Sequence, residues 1–489
     1  MSTTKPLYVP ERPSGIDTDE SFVVEVRPLL QSTDDNGSWT KVPTIATEVA
    51  KPNPQSNTFH RHTVSIVSFD MGGPVEIRAR YTRQEVTKAS IRPLSRGIDA
   101  VIVGDTVSFT LEKPLDVMLE LNGDKYQALH VLANGFDSDR PTGDDNGLWY
   151  FGPGVNNGTA SSRVTDGVNL NVPSNTTVYL ASGAFITFRL NFLGVSNSSV
   201  RGHGFICSSQ GGFKERELGG AIHMNGARDI LVEKVTSLGA NGYSLSAGEC
   251  SQVRVDGYRS FTSAGNGDGI DFFCSSDITI ENCFLRNSDD NIALYSHRWD
   301  WYGDSENITI RNCVLLPDIA HPINMGTHGN PAKPETTRNV TISNIDILDH
   351  EENQLWYQGC IAINATDRNL FCNIHVENVR VERITKGQLF NLRVMLNTMY
   401  ATAPGRGIRD VTFKNISLNL AASETVNPSQ ILGYDGDNYI ENVTFENLKI
   451  GDSVICTEMQ KPYWYMVEDF VPVFVNEHVK GLTFTQKAD

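Results

Sequence analysis

Two short segments of the chain concentrate carboxylates among glycine and asparagine residues. The first holds Asp268 and Asp271 in Asn-Gly-Asp-Gly-Ile-Asp, and the second holds Asp289 and Asp290 in Ser-Asp-Asp-Asn-Ile-Ala. If these carboxylates converge, repulsion raises the pKa of at least one of them, which then carries a proton at neutral pH. A protonated acid beside an ionised one suits cleavage of a glycosidic bond, because one group protonates the leaving oxygen while the other activates water.

A short pattern of alternating apolar and polar residues, flanked by Asn or Asp, recurs along the chain after residue 145. Its anchor positions are separated by 23 to 37 residues and stand at 229, 252, 277, 307, 339, 373, 410 and 442. One such strand cannot bury its apolar face alone, whereas strands stacked coil on coil can. We therefore expect a right-handed parallel β-helix over residues 145–489, with Asn side chains bonding along the stack. A leucine-rich repeat would need a fixed leucine pattern, which is absent.

The first 144 residues have a different pattern. Stretches such as 22–26, 75–81 and 107–111 alternate apolar and polar residues, and turn residues separate them. Several short strands at this spacing predict an antiparallel β-sandwich. The predicted architecture is all-β, with a sandwich at 1–144 followed by the β-helix at 145–489.

The candidate acids share one phase of the repeat. Asp268 follows its anchor by 16 residues, Asp289 and Asp290 follow theirs by 12 and 13, and His321 and Tyr243 each follow by 14. Residues at one phase of successive coils form a column spaced by about 4.8 Å. We therefore expect these side chains to lie on one lateral face of the β-helix.

The composition and charge of the chain limit the kinds of molecule that it can bind. With 41 basic and 58 acidic residues the net charge is −17, which disfavours nucleic acid and anionic lipid. No apolar run approaches the ~18 residues of a membrane span. The first residues lack the apolar core of a signal peptide, so we expect an intracellular chain or a secreted one without its leader. No CxxC pair is present, and the Asp-Gly cluster occurs once rather than in calcium-binding repeats, so neither cofactor nor metal is expected.

These segments carry a resemblance to a known family. Residues 266–271 are similar to the Asn-Thr-Asp-Gly-x-Asp motif of the polygalacturonases, glycoside hydrolase family 28, and residues 288–293 to their Gln-Asp-Asp-Cys-x-Ala motif. The spacing from Asp268 to Asp289 also fits. His321 lies where the family has Gly-His-Gly, although both flanking glycines are replaced here.

One motif of that family is missing. Its Arg-Ile-Lys segment grips the galacturonate carboxylate, but the matching segment 360–364 reads Cys-Ile-Ala-Ile-Asn. A pocket without these cations should not select an anionic sugar, and the net charge points the same way. The dextranase and isopullulanase family, glycoside hydrolase family 49, resembles this chain in using an Asp trio after a β-sandwich and acts on neutral α-glucans. A neutral, α-linked glycan is therefore the expected substrate, with polygalacturonate as the alternative.

The resemblance implies roles for the shared residues. Asp289 would be the general acid, and Asp268 and Asp290 would position and deprotonate water. The reaction would invert the anomeric centre, with carboxyl groups about 6.5–9.5 Å apart. His321 would bond near the acid and help set its protonation, and Asp271 would support the site beside the substrate.

Other residues are candidates for binding an oligo- or polysaccharide. Aromatic faces and bidentate polar groups recognise sugars. His297, Trp299 and Trp301 follow the Asp pair closely, and His328 and Arg393 come from the next coils. We expect these five residues to line the cleft.

Two other readings stay open at this point. A transglycosidase, lyase or epimerase could use the same scaffold, although a lyase would need a cation to neutralise a uronate. A non-catalytic, tailspike-like carbohydrate-binding β-helix would show scattered aromatic residues rather than clustered acids. Three aspartates at one coil phase favour the enzyme.

Overall fold

The computed structural model describes residues 6–29, 37–56, 58–207, 220–421, 424–458 and 472–486. Nearly all regular structure in these ranges is β. The helical segments among them are three single 3₁₀ turns, at Leu94–Arg96, Gly158–Ala160 and Leu355–Tyr357. None of the helices described is long and apolar enough to cross a membrane.

The N-terminal part forms two sheets that face each other. One has the strand order Leu7–Tyr8, Phe59–Met71, Asp124–Gly135, Asp116–Leu121 and Ala89–Arg92, with Ile45–Pro52 also paired to Phe59–Met71. The other has the order Thr40–Val42, Phe22–Pro28, Val75–Tyr81, Thr106–Leu111 and Val101–Val103. Alternate side chains of both sheets fill one apolar core, for example Val24, Ile77 and Val131.

The sandwich differs from the prediction in one pairing. The strands Phe59–Met71 and Asp124–Gly135 run parallel, with Ser65 opposite Leu129 and Met71 opposite Gly135. Parallel neighbours need a long crossover, and the chain between them supplies it by building strands of both sheets. The first sheet is therefore mixed rather than purely antiparallel.

The rest of the described chain is a parallel β-helix, as predicted. Eleven strands within the described ranges form one of its sheets: Asn169–Asn171, Arg189–Leu193, Ile222–Asn225, Leu245–Gly248, Ile270–Phe273, Ile292–Tyr295, Ile323–Gly326, Ile361–Ala365, Phe390–Val394, Ser429–Leu432 and Val473–Val475. A short hairpin, His297–Arg298 with Trp301–Tyr302, projects after the sixth of them.

A second, longer sheet forms the other walls of the β-helix. Its strands are Leu148–Phe151, Gly154–Asn156, Thr177–Leu180, Ala184–Ile186, Ser196–Gly202, Phe205–Ile206, Arg228–Glu233, Thr236–Leu238, Ser251–Asp256, Arg259–Phe261, Ser276–Glu281, Phe284–Asn287, Ser305–Arg311, Val314–Pro317, Thr336–Ile347, Leu370–Val381, Gly407–Leu418, Tyr439–Ile450, Ser453–Ile455 and Val479–Thr485. Only the Ser453–Ile455 pairing among these described strands is antiparallel.

The repeat anchors explain why the chain coils. All eight adopt the left-handed conformation, with φ between 54° and 57°, and all are Asn, Asp or Gln. Asn and Asp tolerate this conformation better than other side chains do. Their amides also bond from coil to coil, as in Asn339 to Asn307 at 3.0 Å and Asn307 to Asp277 at 2.9 Å. The predicted ladder is therefore present.

Strand alternation decides which residues can do chemistry. Ile270, Ile292 and Ile323 stack in register and point into the buried core of the β-helix. The next residues along the same strands, including Asp271 and Asn324, therefore point outward. This outer face of the eleven-stranded sheet is where the site is built.

The sandwich packs directly on the β-helix. Apolar side chains of both parts form one cluster, with Met118 and Leu132 meeting Phe261 and Leu316. Buried ion pairs cross the same boundary. For example, Lys125 of the sandwich lies 3.1 Å from Asp349 and 3.2 Å from Glu351 of the β-helix, in the segment that also reaches the candidate site.

Candidate active site

The turns that enter three successive strands of the eleven-stranded sheet hold Asp268, the pair Asp289 and Asp290, and His321. The backbone N–H of Gly269 donates to the carbonyl of Asp290 at 2.8 Å, and that of Asn291 donates to the carbonyl of His321 at 2.8 Å. Asp268, Asp290 and His321 therefore stack on consecutive coils, as their shared phase predicted. Gly269 permits this close stacking, because a Cβ there would lie 2.4 Å from the carbonyl oxygen of Asn291.

The three candidate catalytic carboxylates meet at one point. Asp268, Asp289 and Asp290 each offer a carboxylate oxygen within 4.8 Å of the others. These nearest-oxygen distances are shorter than the separation of about 6.5–9.5 Å between carboxyl groups that is expected above for an inverting pair. Because all three side chains project from adjacent turns of stacked coils, the coil spacing sets their separation. Inversion therefore rests on the family resemblance and not on this distance.

Asp289 and Asp290 are neighbours in sequence but have opposite pKa shifts. Burial, together with repulsion from Asp290 and Glu352, raises the pKa of Asp289 to about 8. Burial also acts on Asp290, but the charge of His321 and hydrogen bonds from His321 and Asn324 outweigh it and lower the pKa of Asp290. Asp289 is therefore suited to carry a proton at neutral pH, and Asp290 to stay ionised.

Four hydrogen-bond donors within the described ranges surround the carboxylate of Asp290. Its Oδ1 accepts from the backbone N–H of His321 at 3.0 Å and from His321 Nδ1 at 2.7 Å. Its Oδ2 accepts from Asn324 Nδ2 at 2.7 Å and from the hydroxyl of Tyr295 at 3.2 Å. Three clustered carboxylates could chelate a hard cation, but the charged imidazole of His321, bonded to Asp290, would repel one. The arrangement fits proton transfer better than metal binding.

His321 supplies the positive charge. It is buried, and its Nε2 donates to the carbonyl of Tyr357 while its Nδ1 donates to Asp290. Burial disfavours the charged imidazole, but Asp290 and the hydrogen bonds outweigh it and raise the pKa of His321 to about 9. The sequence did not single out the polar partners Asn324 and Tyr295. Their signal is strand alternation, which turns residue 324 outward beside the acids.

Asp268 and Asp271 are buried acids with unpaired oxygens. Burial raises the pKa of both well above its usual range, and the surrounding carboxylates add to the shift. Among the described residues, Asp268 Oδ1 and both oxygens of Asp271 have no hydrogen-bond partner. Burying polar atoms without hydrogen-bond partners costs free energy of folding. Such unpaired atoms are typical of a site shaped to bind a ligand.

The stability of an Asp271→Asn variant tests this electrostatic description. Because the folded-state pKa of Asp271 is raised, ionisation favours the unfolded chain as pH rises above about 4. Asparagine removes that ionisation. We expect the variant to unfold at nearly the wild-type temperature at pH 4 and to be more stable at pH 8 by about 1–3 kcal/mol. Calorimetry at both pH values measures the difference, and a variant less stable at pH 8 would contradict the description.

The hairpin at 297–302 places its aromatic residues unequally. Trp299 is half-buried, with its ring near those of Tyr243 and Phe273, at 6.1 Å and 5.8 Å. Trp301 is only 5% exposed and stacks on Phe273 at 5.4 Å, so the expectation that it offers a free face to a sugar is wrong. His297 is half-buried, and burial lowers its pKa.

Comparison with known proteins places this geometry in a family. The sequence profile of the glycosyl hydrolases family 28 matches residues 155–463, well over half of the chain. This chain belongs to that family. The match begins with the first coils of the β-helix and includes every candidate site residue named above.

Individual relatives match over shorter regions. Polygalacturonase from Chamaecyparis obtusa is 25% identical over 210 residues, covering 40% of this family 28 chain and 36% of that protein. Endopolygalacturonase B from Aspergillus niger is 26% identical over 201 residues, covering 39% and 50%. The matched regions thus span between about a third and a half of these relatives.

The solved structures include one that matches the whole architecture. Dex49A from Penicillium minioluteum has a TM-score of 0.58 and 13% sequence identity, covering 98% of this chain and 96% of that one. At this identity the likeness shows a shared fold. The likeness includes the β-helix and also the N-terminal sandwich. The family 28 profile does not cover the sandwich.

The family 28 cations are absent from their usual place in this chain. Ala362 and Asn364 are paired in register with Asn324 and Gly326, one coil beyond His321. Arg393 pairs with Asn364 one coil further on, and it donates to the carbonyl of Trp356 at 2.7 Å. Arg393 is therefore near the outer face but three coils away from Asp289 and Asp290.

A cation that sequence reasoning missed lies beside the acids. Arg298, in the hairpin, donates to the hydroxyl of Tyr243 at 2.9 Å and stacks on the ring of Trp299 at 4.7 Å. Its charge opposes the upward pKa shifts of Asp268 and Asp271. Arg298 directly precedes the predicted Trp299, but its direction depends on how the hairpin folds back.

His328 completes this side of the site. Its ring edge meets Tyr295 with the centroids 5.0 Å apart, and its Nε2 lies 3.4 Å from Arg298. Burial and the charge of Arg298 lower the pKa of His328 to about 3. His328 is therefore a neutral acceptor that helps orient the guanidinium.

Proposed function

We propose that this chain hydrolyses glycosidic bonds of an anionic polysaccharide of the polygalacturonate type. The observation that carries the proposal is a carboxyl group suited to hold a proton, Asp289, within 4.8 Å of the ionised Asp290. Membership of family 28 and the names of the polygalacturonase relatives support the reaction class and the substrate.

The reaction follows from these roles. Asp289 donates its proton to the leaving glycosidic oxygen as the bond to the anomeric carbon breaks. A water molecule attacks that carbon and passes its proton to Asp290, which His321 keeps ionised. Asp268, whose Oδ1 has no partner in the described chain, orients the water. Attack from the face opposite the leaving group inverts the anomeric centre, and the proton NMR spectrum of the first product identifies the anomer.

Arg298 supports an anionic sugar. Its guanidinium is half-buried beside the acids, where a charge interacts over a few ångströms at reduced dielectric. The net charge of −17 acts over longer distances, which salt screens beyond about 8–10 Å. The missing Arg-Ile-Lys segment and this net charge both favour a neutral substrate, but Arg298 supplies a cation from a different element.

A neutral α-glucan is the second candidate. The observation that favours it is the pair Ala362 and Asn364, which replaces the two cations of the family motif. Asn364 is buried and both atoms of its amide lack partners in the described chain, so it could bond a neutral hydroxyl. Comparable hydrolysis of dextran and polygalacturonate by the wild-type protein would favour this candidate.

An Arg298→Gln variant tests the proposed substrate. A charge-assisted hydrogen bond contributes about 1.5–3 kcal/mol, so kcat/KM on polygalacturonate should fall about 10–100-fold. The kcat/KM on fully methyl-esterified polygalacturonate, which carries no negative charge for Arg298 to bind, should fall by less than about 3-fold. Arg254→Gln is the matched control, because Arg254 bonds Glu281 on another wall of the β-helix. Equal losses on both substrates would contradict the proposal.

A further inference from the structure

The hairpin at 297–302 covers the outer face of the sheet on the N-terminal side of the acids. Its Trp301 donates from Nε1 to Asn225 Oδ1 at 3.0 Å. Asn225, Gly248 and Phe273 lie in register on three successive strands, so Trp301 reaches back to a coil three before the strand Ile292–Tyr295 that precedes the hairpin. The hairpin therefore extends along the axis of the β-helix toward the N-terminal coils.

The contact with Gly248 shows how closely the indole lies on the sheet. A Cβ at Gly248 would fall 2.1 Å from the Trp301 ring, so only glycine leaves room for the indole at this position. The hydrogen bond, the stacking on Phe273 and the near-complete burial hold Trp301 in place. Trp301 therefore occupies the outer face of the sheet over Gly248 and Phe273.

A second segment covers the face on the opposite side of the acids. The hydroxyl of Tyr357 accepts from Asn324 Nδ2 at 3.0 Å, and its ring lies 5.5 Å from that of Tyr400. One residue earlier, the carbonyl of Trp356 accepts from Asn391 and from Arg393, three coils beyond Asp289 and Asp290. Segment 353–358 therefore lies across the coils that follow His321.

The partly exposed groups lie between these two segments. Asp289, His328 and Tyr400 are half-buried, as is Arg298 on the hairpin itself, whereas Ser246 beside the hairpin and Asn391 beneath segment 353–358 are fully buried. The acids are therefore at the bottom of a pocket bounded along the stack on both sides. An enzyme that cuts inside a polymer needs a groove through which the chain passes on both sides of the broken bond.

We propose that this enzyme acts from one end of its polysaccharide and releases short products, with Trp301 as the wall that stops the terminal sugar. This inference rests on the proposed hydrolase function and adds the position of the cut. The substrate end enters between the hairpin and segment 353–358, and the remaining chain leaves into solvent.

Product analysis of the wild-type protein tests the inference. We expect mono- or disaccharides as the only early products of polygalacturonate, and a solution viscosity that halves only after a large fraction of bonds has been cut. Oligosaccharides capped at the end that enters the pocket should resist hydrolysis. Oligosaccharides capped at the other end should be hydrolysed. An early ladder of mixed oligomers would overturn the inference and leave the hydrolase function standing. No hydrolysis of any polysaccharide would overturn both.

Trp301→Ala tests the wall itself. Opening the N-terminal side should increase the share of internal cuts, so viscosity should fall at least about 3-fold faster per reducing end released than with wild type. Trp149→Ala is the control, since Trp149 packs under Arg163 on the first coil. If Trp301→Ala does not fold, the wild-type product pattern decides the matter alone. An unchanged pattern in a folded Trp301→Ala variant would overturn the assignment of Trp301 as the wall.

Discussion

Asp289→Asn is expected to lower kcat on the polysaccharide by about 10³-fold with little change in KM. Asparagine has nearly the same shape but cannot donate the proton that the leaving oxygen needs. The raised pKa of Asp289, about 8, also sets the pH range of the wild type. Because the protonated form is active, kcat/KM should decline as pH rises above about 8.

The control for this variant is Asp277→Asn. Asp277 is an exposed anchor whose carboxylate accepts from Asn307, and asparagine can adopt the same conformation and accept the same bond. Its activity should equal that of wild type. Initial rates of reducing-end release measure both variants. An Asp289→Asn protein with more than about a tenth of wild-type kcat would show that another group donates the proton.

His321→Gln should lower kcat about 100-fold at neutral pH and narrow the pH range from the acidic side. Glutamine can still donate one hydrogen bond but brings no charge to Asp290. In the wild type the charge of His321 lowers the pKa of Asp290, so the ionised base persists into acid. Without that charge the pKa of Asp290 rises, and activity should be lost at a higher pH as the solution is acidified.

The pH profile separates this role from simple support of the fold. A structural role alone would lower the activity by the same factor at every pH. We expect the acidic limb of the variant's pH profile to be displaced upward by at least about one pH unit, with the basic limb still governed by Asp289. Circular dichroism at each pH confirms that the variant is folded. An acidic limb at the wild-type position would contradict the proposed coupling of His321 to Asp290.

The β-helix could be predicted because its determinants are local. Each coil needs a left-handed residue at a fixed place, and Asn or Asp at positions such as 277, 307 and 339 supplies it. The same regularity allowed Asp268, Asp290 and His321 to be assigned to one face by counting residues. Register in this fold follows from the repeat, so sequence distance converts directly into position.

Features that depend on tertiary packing could not be predicted. The hairpin turns at Trp299, which has a φ of 53°, so strand alternation does not indicate where Arg298 and Trp301 point. Their directions follow from contacts with Tyr243 and Asn225, which lie on earlier coils. The charge of Arg298 therefore could not enter the substrate prediction from the sequence. The parallel pair in the sandwich likewise depends on how a long crossover packs.

The most direct test compares wild type and Asp289→Asn on polygalacturonate and dextran under the same conditions. We expect wild type to release reducing ends from polygalacturonate at least about 100-fold faster than from dextran, and the variant to retain about a thousandth of this rate. Wild type inactive on both polymers, or a variant as active as wild type, would contradict the account.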